Sequence, residues 1–130
     1  MRVLVVDDNR DCADSEAWLI QACGHDVRVA YDGHSALELT REYRPDVMLI
    51  DIGMPDMDGN ALAAKVRELP YGGRATLLAV SGWADEGSRR IALEAGFDGY
   101  YSKPADPKEL LERLFCCPST RLTPLRLRRR

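Results

Sequence analysis

The sequence predicts an α/β fold, a doubly wound sheet of five parallel strands with helices on both faces. Two observations support this prediction. Continuous apolar runs such as Val3–Val6 and Val47–Ile50 are typical of strands that are covered on both faces. These runs alternate with helical patterns through residues 1–117, which gives five βα units. Such an alternation favours a parallel sheet over a sandwich or a helical bundle.

The predicted strands differ in how much of each is apolar. Val3–Val6, Val47–Ile50 and Leu77–Val80 are apolar throughout and predict buried strands. In Val27–Tyr31 apolar residues alternate with polar ones, which indicates an edge strand. Gly99–Ser102 predicts a short fifth strand.

Helical patterns follow each strand, over Asn9–Cys23, Ser35–Tyr43, about Asn60–Leu69, about Asp85–Ala95, and from Asp106 onward. The last one opens with an N-cap aspartate, a proline at the first helical position and a capping-box glutamate, Glu109. In the first helix the residues expected to face inward are Cys12, Ser15, Leu19 and Cys23. Trp18 of the same helix is also expected to contribute to packing.

Length and charge indicate one domain with a tail. The chain has 130 residues, enough for a single core, and a net charge of −3. Residues 118–130 hold five arginines and no acid, which leaves 13 basic and 21 acidic residues, or −8, in 1–117. We therefore predict a domain over 1–117, with a boundary at Pro118, and a basic, disordered tail over 118–130.

The expected compartment is the cytoplasm. No apolar run approaches the roughly 20 residues that a membrane span requires. The first residues reach acidic positions too soon for a signal peptide, so neither secretion nor a membrane is expected. The four cysteines lack metal-binding spacing and are predicted to be reduced.

Reactive side chains follow four of the five predicted strands. Asp7 and Asp8 follow the first, Asp51 the third, Ser81 the fourth and Lys103 the fifth. Ligands of parallel sheets bind at the carboxyl ends of the strands, so these five side chains are expected to lie close together. The alternative is that strand ends are polar because they meet solvent, which explains one or two such residues but poorly all five.

Three clustered carboxylates repel one another unless a cation joins them. Oxygen ligands without histidine or cysteine favour Mg²⁺. With a lysine and a hydroxyl nearby, the set suits phosphate chemistry, in which an aspartate attacks phosphorus. Asp51 is the candidate nucleophile, which explains why an apolar strand ends in a charge.

The segments VLVVDDN, LIDIGMPDMDG, AVSGW and GYYSKP occur in this order. With them the chain resembles the receiver domain of two-component response regulators over residues 2–116. The run from Gly82 to Leu110 is most similar to receivers associated with hybrid sensor histidine kinases. The resemblance implies the strand order 2-1-3-4-5.

The resemblance also implies a role for each matching residue. Asp51 would accept a phosphoryl group from a histidine of a sensor kinase or of a phosphotransfer protein. Asp7, Asp8, Asp51 and the carbonyl of Gly53 would hold Mg²⁺. Ser81, which stands where threonine is more frequent, would bind one phosphoryl oxygen.

The remaining implied roles fall at and around the fifth strand. Lys103 would bind another phosphoryl oxygen, and the Lys103–Pro104 bond is expected to be cis. Tyr100 stands where the family carries a rotating switch aromatic; the alternative is an ordinary half-buried tyrosine. Gly53 and Trp83 occupy variable positions that are expected to tune dephosphorylation.

The sequence therefore favours a phosphorylation-controlled signalling module rather than a turnover enzyme. Two alternatives stay open: a phosphatase that uses an aspartyl-phosphate, and a receiver-fold scaffold that works without phosphorylation. Nucleotide binding is disfavoured because no glycine-rich loop follows the first strand. The output is expected to go through an unknown downstream protein. Specific DNA binding is not expected, since the tail is too short to be a folded reader of bases.

Overall fold

The structure is a computed structural model that describes residues 1–54, 57–70, 74–82 and 85–102. Over these ranges the chain alternates five strands with four helices: β1 Arg2–Val6, α1 Arg10–Ala22, β2 Asp26–Ala30, α2 Gly33–Tyr43, β3 Val47–Asp51, α3 Gly59–Arg67, β4 Thr76–Ser81, α4 Glu86–Ala95 and β5 Gly99–Ser102. Several predictions fall outside the described residues, namely those on Trp83, Lys103, Pro104, the helix from Asp106, Cys116 and Cys117, and the boundary at Pro118.

The sheet is parallel, and its five strands lie in the order β2-β1-β3-β4-β5. The predicted fold class and strand order are therefore confirmed. Val6, at the end of β1, pairs with Ala30 on one side and with Ile50 on the other. Ile50 pairs in turn with Ala79 of β4. Because the ends of these strands are in register, the residues that follow them meet at one edge of the sheet.

The core consists of two clusters of buried side chains, one on each face of the sheet. Successive side chains of a strand point to opposite faces, so Leu4 and Val6 belong to one cluster and Val3 and Val5 to the other. Helix α3 covers the first cluster through Leu62, Ala63 and Val66, and α1 covers the second through Ala13 and Ile20. Cover on both faces explains why the central strands are apolar throughout.

Each described helix begins at an Asx residue whose side-chain oxygen accepts a hydrogen bond from a backbone N–H of the first turn. These N-caps are Asn9, Asp32, Asp58 and Asp85. They satisfy a donor that the helix itself leaves without a partner. Helix α4 ends at Gly96, with φ at 121°, and α2 ends at Arg44, with φ at 51°. Arg44 precedes Pro45, which disfavours continuation of the helix.

The predicted inward face of α1 is wrong by one residue. Its buried positions are Ala13, Glu16 and Ile20, one residue after Cys12, Ser15 and Leu19. Of the predicted set, Leu19 is partly buried against the second core cluster, as expected. Trp18, expected to pack, is 68% exposed. Small and apolar residues occur all around this helix, so several faces satisfy the helical period. The contact of Ala13 and Ile20 with the sheet decides which face is buried.

The expectation that all four cysteines are reduced is wrong for Cys23, which is disulfide-bonded. Cys12 remains a half-buried thiol. Pairing depends on which sulfur atoms the fold brings within bonding distance, and spacing along the chain does not reveal this. None of the described helices has both the length and the apolarity that a membrane span requires.

Candidate functional site

Three carboxylates gather at the carboxyl edge of the sheet. Asp7 and Asp8 follow β1, and Asp51 is the last residue of the neighbouring strand β3. One oxygen from each of the three lies within 4.8 Å of the other two. Asp7 is 2% exposed, whereas Asp8 is exposed to solvent. The cluster therefore has one buried wall and one open side, from which an ion or a phosphodonor can approach.

Asp7 is oriented by the turn that leads into α1. Its backbone N–H donates to the carbonyl of Ala30 at 3.1 Å, which extends the pairing of β1 and β2. Its Oδ1 accepts a hydrogen bond of 3.0 Å from the backbone N–H of Asn9. Asn9 in turn caps α1 by accepting from the N–H of Cys12 at 3.1 Å. The start of α1 thus fixes the Asp7 carboxylate. The partial positive charge at the N-terminus of this helix also stabilises the negative charges of the nearby carboxylates.

Asp51 is held by the connection that follows it. Its Oδ1 accepts from the backbone N–H of Gly53 at 3.1 Å. The next residue, Ile52, donates its N–H to the carbonyl of Val80 at 3.0 Å and accepts from the N–H of Gly59 at 3.0 Å. This last hydrogen bond closes the β3–α3 connection at its base.

Gly59 brings the first turn of α3 against the strand that carries Asp51. A Cβ at this position would lie 2.8 Å from the Cα of Ile52 and 3.0 Å from the carbonyl oxygen of Asp51. Both are backbone atoms, which cannot move aside without a shift of the chain. A glycine is therefore required by space, and the β3–α3 connection is compact where it leaves the site.

Ser81 lies on the next strand at the same edge. Asp51 pairs with Val80, so Ser81 stands one residue further along β4, and it is 1% exposed. Tyr100 pairs with Ala79 on β5, two residues before the position beside Ser81, and is half-buried against the first core cluster. The structure thus brings Asp7, Asp8, Asp51 and Ser81 to one edge and leaves Tyr100 nearby in the sheet.

The donors at this edge fit a magnesium ion. In the described part of the chain, Asp7, Asp8 and Asp51 form the one group of three acidic, histidine or cysteine side chains close enough to share an ion. All three offer hard oxygen atoms, the ligands that Mg²⁺ prefers. Carboxylates this close repel one another, and a divalent cation removes that repulsion. The resemblance implies one further donor, the backbone carbonyl of Gly53, and this stays a prediction.

One contact beside the site had no sequence signal that pointed to it. Gly33, the first residue of α2, lies against Met57 of the β3–α3 connection. Strand β2 supplies no reactive group, so the sequence predicts no part for its end in the site. A glycine directly after the helix cap Asp32 is the only local hint, and it is a weak one because glycine also occurs at helix starts that make no such contact.

A parallel sheet in this order with carboxylates at its carboxyl edge defines the CheY-like class of α/β proteins. Residues 3–115 match the family described as the response regulator receiver domain. The chain belongs to this family, and the resemblance predicted from its motifs is confirmed.

Individual relatives agree with this assignment. The chain is 40% identical over 111 residues to the 14.6 kDa protein of the sodA1 3′ region of Leptolyngbya boryana, a match that covers 85% of each chain. A CheY-like receiver domain protein of Methanospirillum hungatei is 29% identical, with a TM-score of 0.81 over 98% of this chain and 94% of that one. The chemotaxis protein CheY4 of Vibrio cholerae is 28% identical, with a TM-score of 0.81 over 85% of this chain and 92% of that one. The association with hybrid sensor kinases stays a prediction.

Proposed function

We propose that this chain is the phosphoacceptor of a two-component phosphorelay. In this proposal Asp51 receives a phosphoryl group from a histidine of a sensor kinase or of a phosphotransfer protein, in a Mg²⁺-dependent reaction. The observation that supports it most directly is the group of three carboxylates within 4.8 Å of one another, in a chain of the receiver family. Asp51 is the only one of them that belongs to a strand.

For this phosphoryl transfer the protein has to position the attacking carboxylate and to neutralise the charge of the phosphoryl oxygens. An oxygen of Asp51 attacks phosphorus, the P–N bond of the phosphohistidine breaks, and the histidine keeps the electron pair. A bound Mg²⁺ supplies positive charge for the phosphoryl oxygens. Asp7, Asp8, Asp51 and the carbonyl of Gly53 are the residues that would hold it. The hydrogen bond from Gly53 N–H orients the attacking carboxylate.

Two further side chains are proposed to bind the transferred group. Ser81, at the end of β4, would donate its hydroxyl to one phosphoryl oxygen, and Lys103 would pair with another. The position of Ser81 supports its part, because it lies one residue beyond Val80, the strand partner of Asp51.

Phosphorylation is proposed to act on a protein–protein surface. A phosphoryl group adds roughly −1.5 to −2 charge at neutral pH and draws nearby donors toward it. Movement of Ser81 toward that group would open space for Tyr100, biasing a two-state surface formed by α4, β5 and the helix predicted from Asp106 onward. The downstream partner would be a cytoplasmic protein, with no part for specific DNA binding or for a membrane.

The two alternatives predict different site chemistry. A phosphatase similar to the haloacid dehalogenase-like group would carry a second aspartate two residues after its nucleophile as a general acid, and that position here is Gly53. A scaffold that works without phosphorylation has no need for repelling carboxylates at one edge. Gly53 therefore argues against the phosphatase, and the cluster of Asp7, Asp8 and Asp51 argues against the scaffold.

Labelling by acetyl phosphate tests the proposal. The wild-type chain with Mg²⁺ should gain one acid-stable, base-labile phosphoryl group per molecule, and chelation of the metal should prevent this. Asp51→Asn should abolish labelling. Asp58→Asn is the matched control, because Asp58 is an exposed aspartate nearby that caps α3. Labelling of Asp51→Asn at the wild-type yield would refute the assignment, and steady release of phosphate over many turnovers would favour the phosphatase.

A further inference from the structure

We propose that Gly33 is a positioning residue for the metal site. Because it has no side chain, Met57 can pack against the start of α2, and this packing holds the β3–α3 connection in place. This inference rests on the proposed function, since it concerns the loop that carries the Gly53 carbonyl. It gives the end of β2 a part in the site, although this strand supplies no chemical group to it.

The contact between Gly33 and Met57 leaves no room for a side chain. A Cβ at position 33 would lie 2.7 Å from the Cβ of Met57, 2.9 Å from its Sδ and 3.1 Å from its Cγ. Among the described glycines, positive φ occurs at Gly24 and Gly96, so the backbone conformation at Gly33 is open to any residue. Glycine is required at this position by space and not by conformation.

The α2 side of this contact is rigid. Gly33 is buried, and the preceding Asp32 accepts from the backbone N–H of Ser35 at 2.7 Å and from its hydroxyl at 3.2 Å. Ala36, one turn later, is fully buried in the first core cluster. The first turn of α2 is therefore fixed by its cap and by its packing. A side chain added at position 33 would displace Met57 rather than the helix.

The displacement would reach the metal site because the β3–α3 connection is short and closed. Met57 lies in this connection four residues after Gly53, and the connection is pinned at its base by the hydrogen bond from Gly59 N–H to Ile52. Gly59 already touches the backbone of Ile52, so the connection cannot move closer to β3 at that end. Because that end is fixed, a shift of Met57 is expected to pass toward Gly53 rather than into α3.

Mg²⁺ titration by calorimetry, with unfolding measured in parallel without metal, tests the inference. Gly33→Ala should weaken Mg²⁺ binding by about tenfold, the lower end of what loss of a supporting contact costs a metal site. Labelling of this variant by acetyl phosphate should recover when Mg²⁺ is raised, since Asp51 itself is intact. Gly87→Ala is the matched control: Gly87 also lies in the first turn of a helix, and its added Cβ would meet a single atom, Oδ2 of the cap Asp85, at 3.3 Å.

A second variant separates the contact from a general loss of stability. Met57→Gly removes the Cβ that lies 2.7 Å from the added one, whereas Met57→Ala would retain it. Met57→Gly alone should weaken Mg²⁺ binding, because the β3–α3 connection loses the packing of the Met57 side chain against Gly33. In the Met57→Gly background, Gly33→Ala should cause no further loss of Mg²⁺ affinity. In the Met57→Ala background, which keeps the Cβ, Gly33→Ala should still lower the Mg²⁺ affinity.

The outcomes distinguish this inference from the proposed function. If the wild type neither binds Mg²⁺ nor accepts phosphate, the proposed function fails. If the wild type does both and folded Gly33→Ala binds Mg²⁺ like the wild type, only the inference on Gly33 is overturned. Equal losses from Gly33→Ala in the wild-type background and in the Met57→Gly background would also overturn it. If Gly33→Ala fails to fold, the test rests on Met57→Gly. A wild-type Mg²⁺ affinity in Met57→Gly would then overturn the inference on Gly33.

Discussion

Arg67 donates from Nη2 to Oδ2 of Asp98 at 2.9 Å, and this ion pair joins the end of α3 to the segment between α4 and β5. The same guanidinium donates to the carbonyls of Gly96 and Ala75, each at 3.0 Å or less. Oδ2 of Asp98 also accepts from the backbone N–H of Leu77 at 2.8 Å. The Arg67 side chain thus connects α3, the end of α4 and the start of β4 at the amino ends of the strands, opposite the carboxylates.

Arg67→Leu should lower the free energy of unfolding by about 2–3 kcal/mol, because it leaves carbonyl groups and a partly buried carboxylate without a charged donor. Chemical denaturation measures this loss. Arg89→Leu on the exposed face of α4 is the control and should change stability by about 0.5 kcal/mol or less. Equal effects of the two substitutions would show that the network around Arg67 adds no stability.

Asp8→Ala should weaken Mg²⁺ binding by about tenfold or more, since it removes one of the three carboxylates that can share the ion. Calorimetry at constant ionic strength measures the change. Asp11→Ala, which removes an exposed carboxylate three residues later in α1, controls for the general effect of charge and should bind nearly as tightly as the wild type. A similar loss in both variants would argue against direct ligation by Asp8.

Ser81→Ala should still be phosphorylated at Asp51 but should transmit less of the change to Tyr100. The hydroxyl of Ser81 is the donor expected to follow the phosphoryl group, and alanine cannot do so. The measurement is the NMR shift of the Tyr100 ring on addition of beryllofluoride, assigned with Tyr100→Phe. A full wild-type shift in Ser81→Ala would show that the proposed coupling through this hydroxyl is wrong.

Alkaline pH should destabilise the fold partly through Tyr43. Burial is the main cause that raises the pKa of Tyr43 from 10.0 to about 12, and its hydrogen bond toward Asp26 adds to this. The hydroxyl donates to the Asp26 carbonyl at 2.9 Å. Because the folded state holds the proton more tightly, this contribution to stability is complete below pH 10 and is lost as pH rises toward 12.

Tyr43→Phe has no proton to lose, so its unfolding free energy should fall less steeply than that of the wild type between about pH 9 and about pH 11.5. At about pH 8 it should be about 1 kcal/mol less stable than the wild type, from the lost hydrogen bond. Denaturation curves across this pH range measure both quantities. Parallel pH profiles of the two proteins would mean that Tyr43 titrates alike in the folded and unfolded states.

The sequence alone determined the sheet and most of its site. Apolar runs need cover on both faces, and this requirement fixed the central strands, while the alternation around Val27 and Val29 identified the edge strand. Residues after parallel strands must meet at one edge, so the grouping of Asp7, Asp8 and Asp51 was predictable from the strand ends. These features depend on the period of the apolar residues and on chain direction, and both can be read from short stretches of the sequence.

Only the tertiary structure decided which of several possible contacts form. The buried face of α1 passes through Ala13 and Ile20 because they meet the sheet, and the helical period alone could not choose it. The contacts of Arg67 with Asp98 and of Gly33 with Met57 join residues 31 and 24 positions apart. Such pairs depend on where whole elements come to lie, and a single sequence carries no local pattern that records this distance.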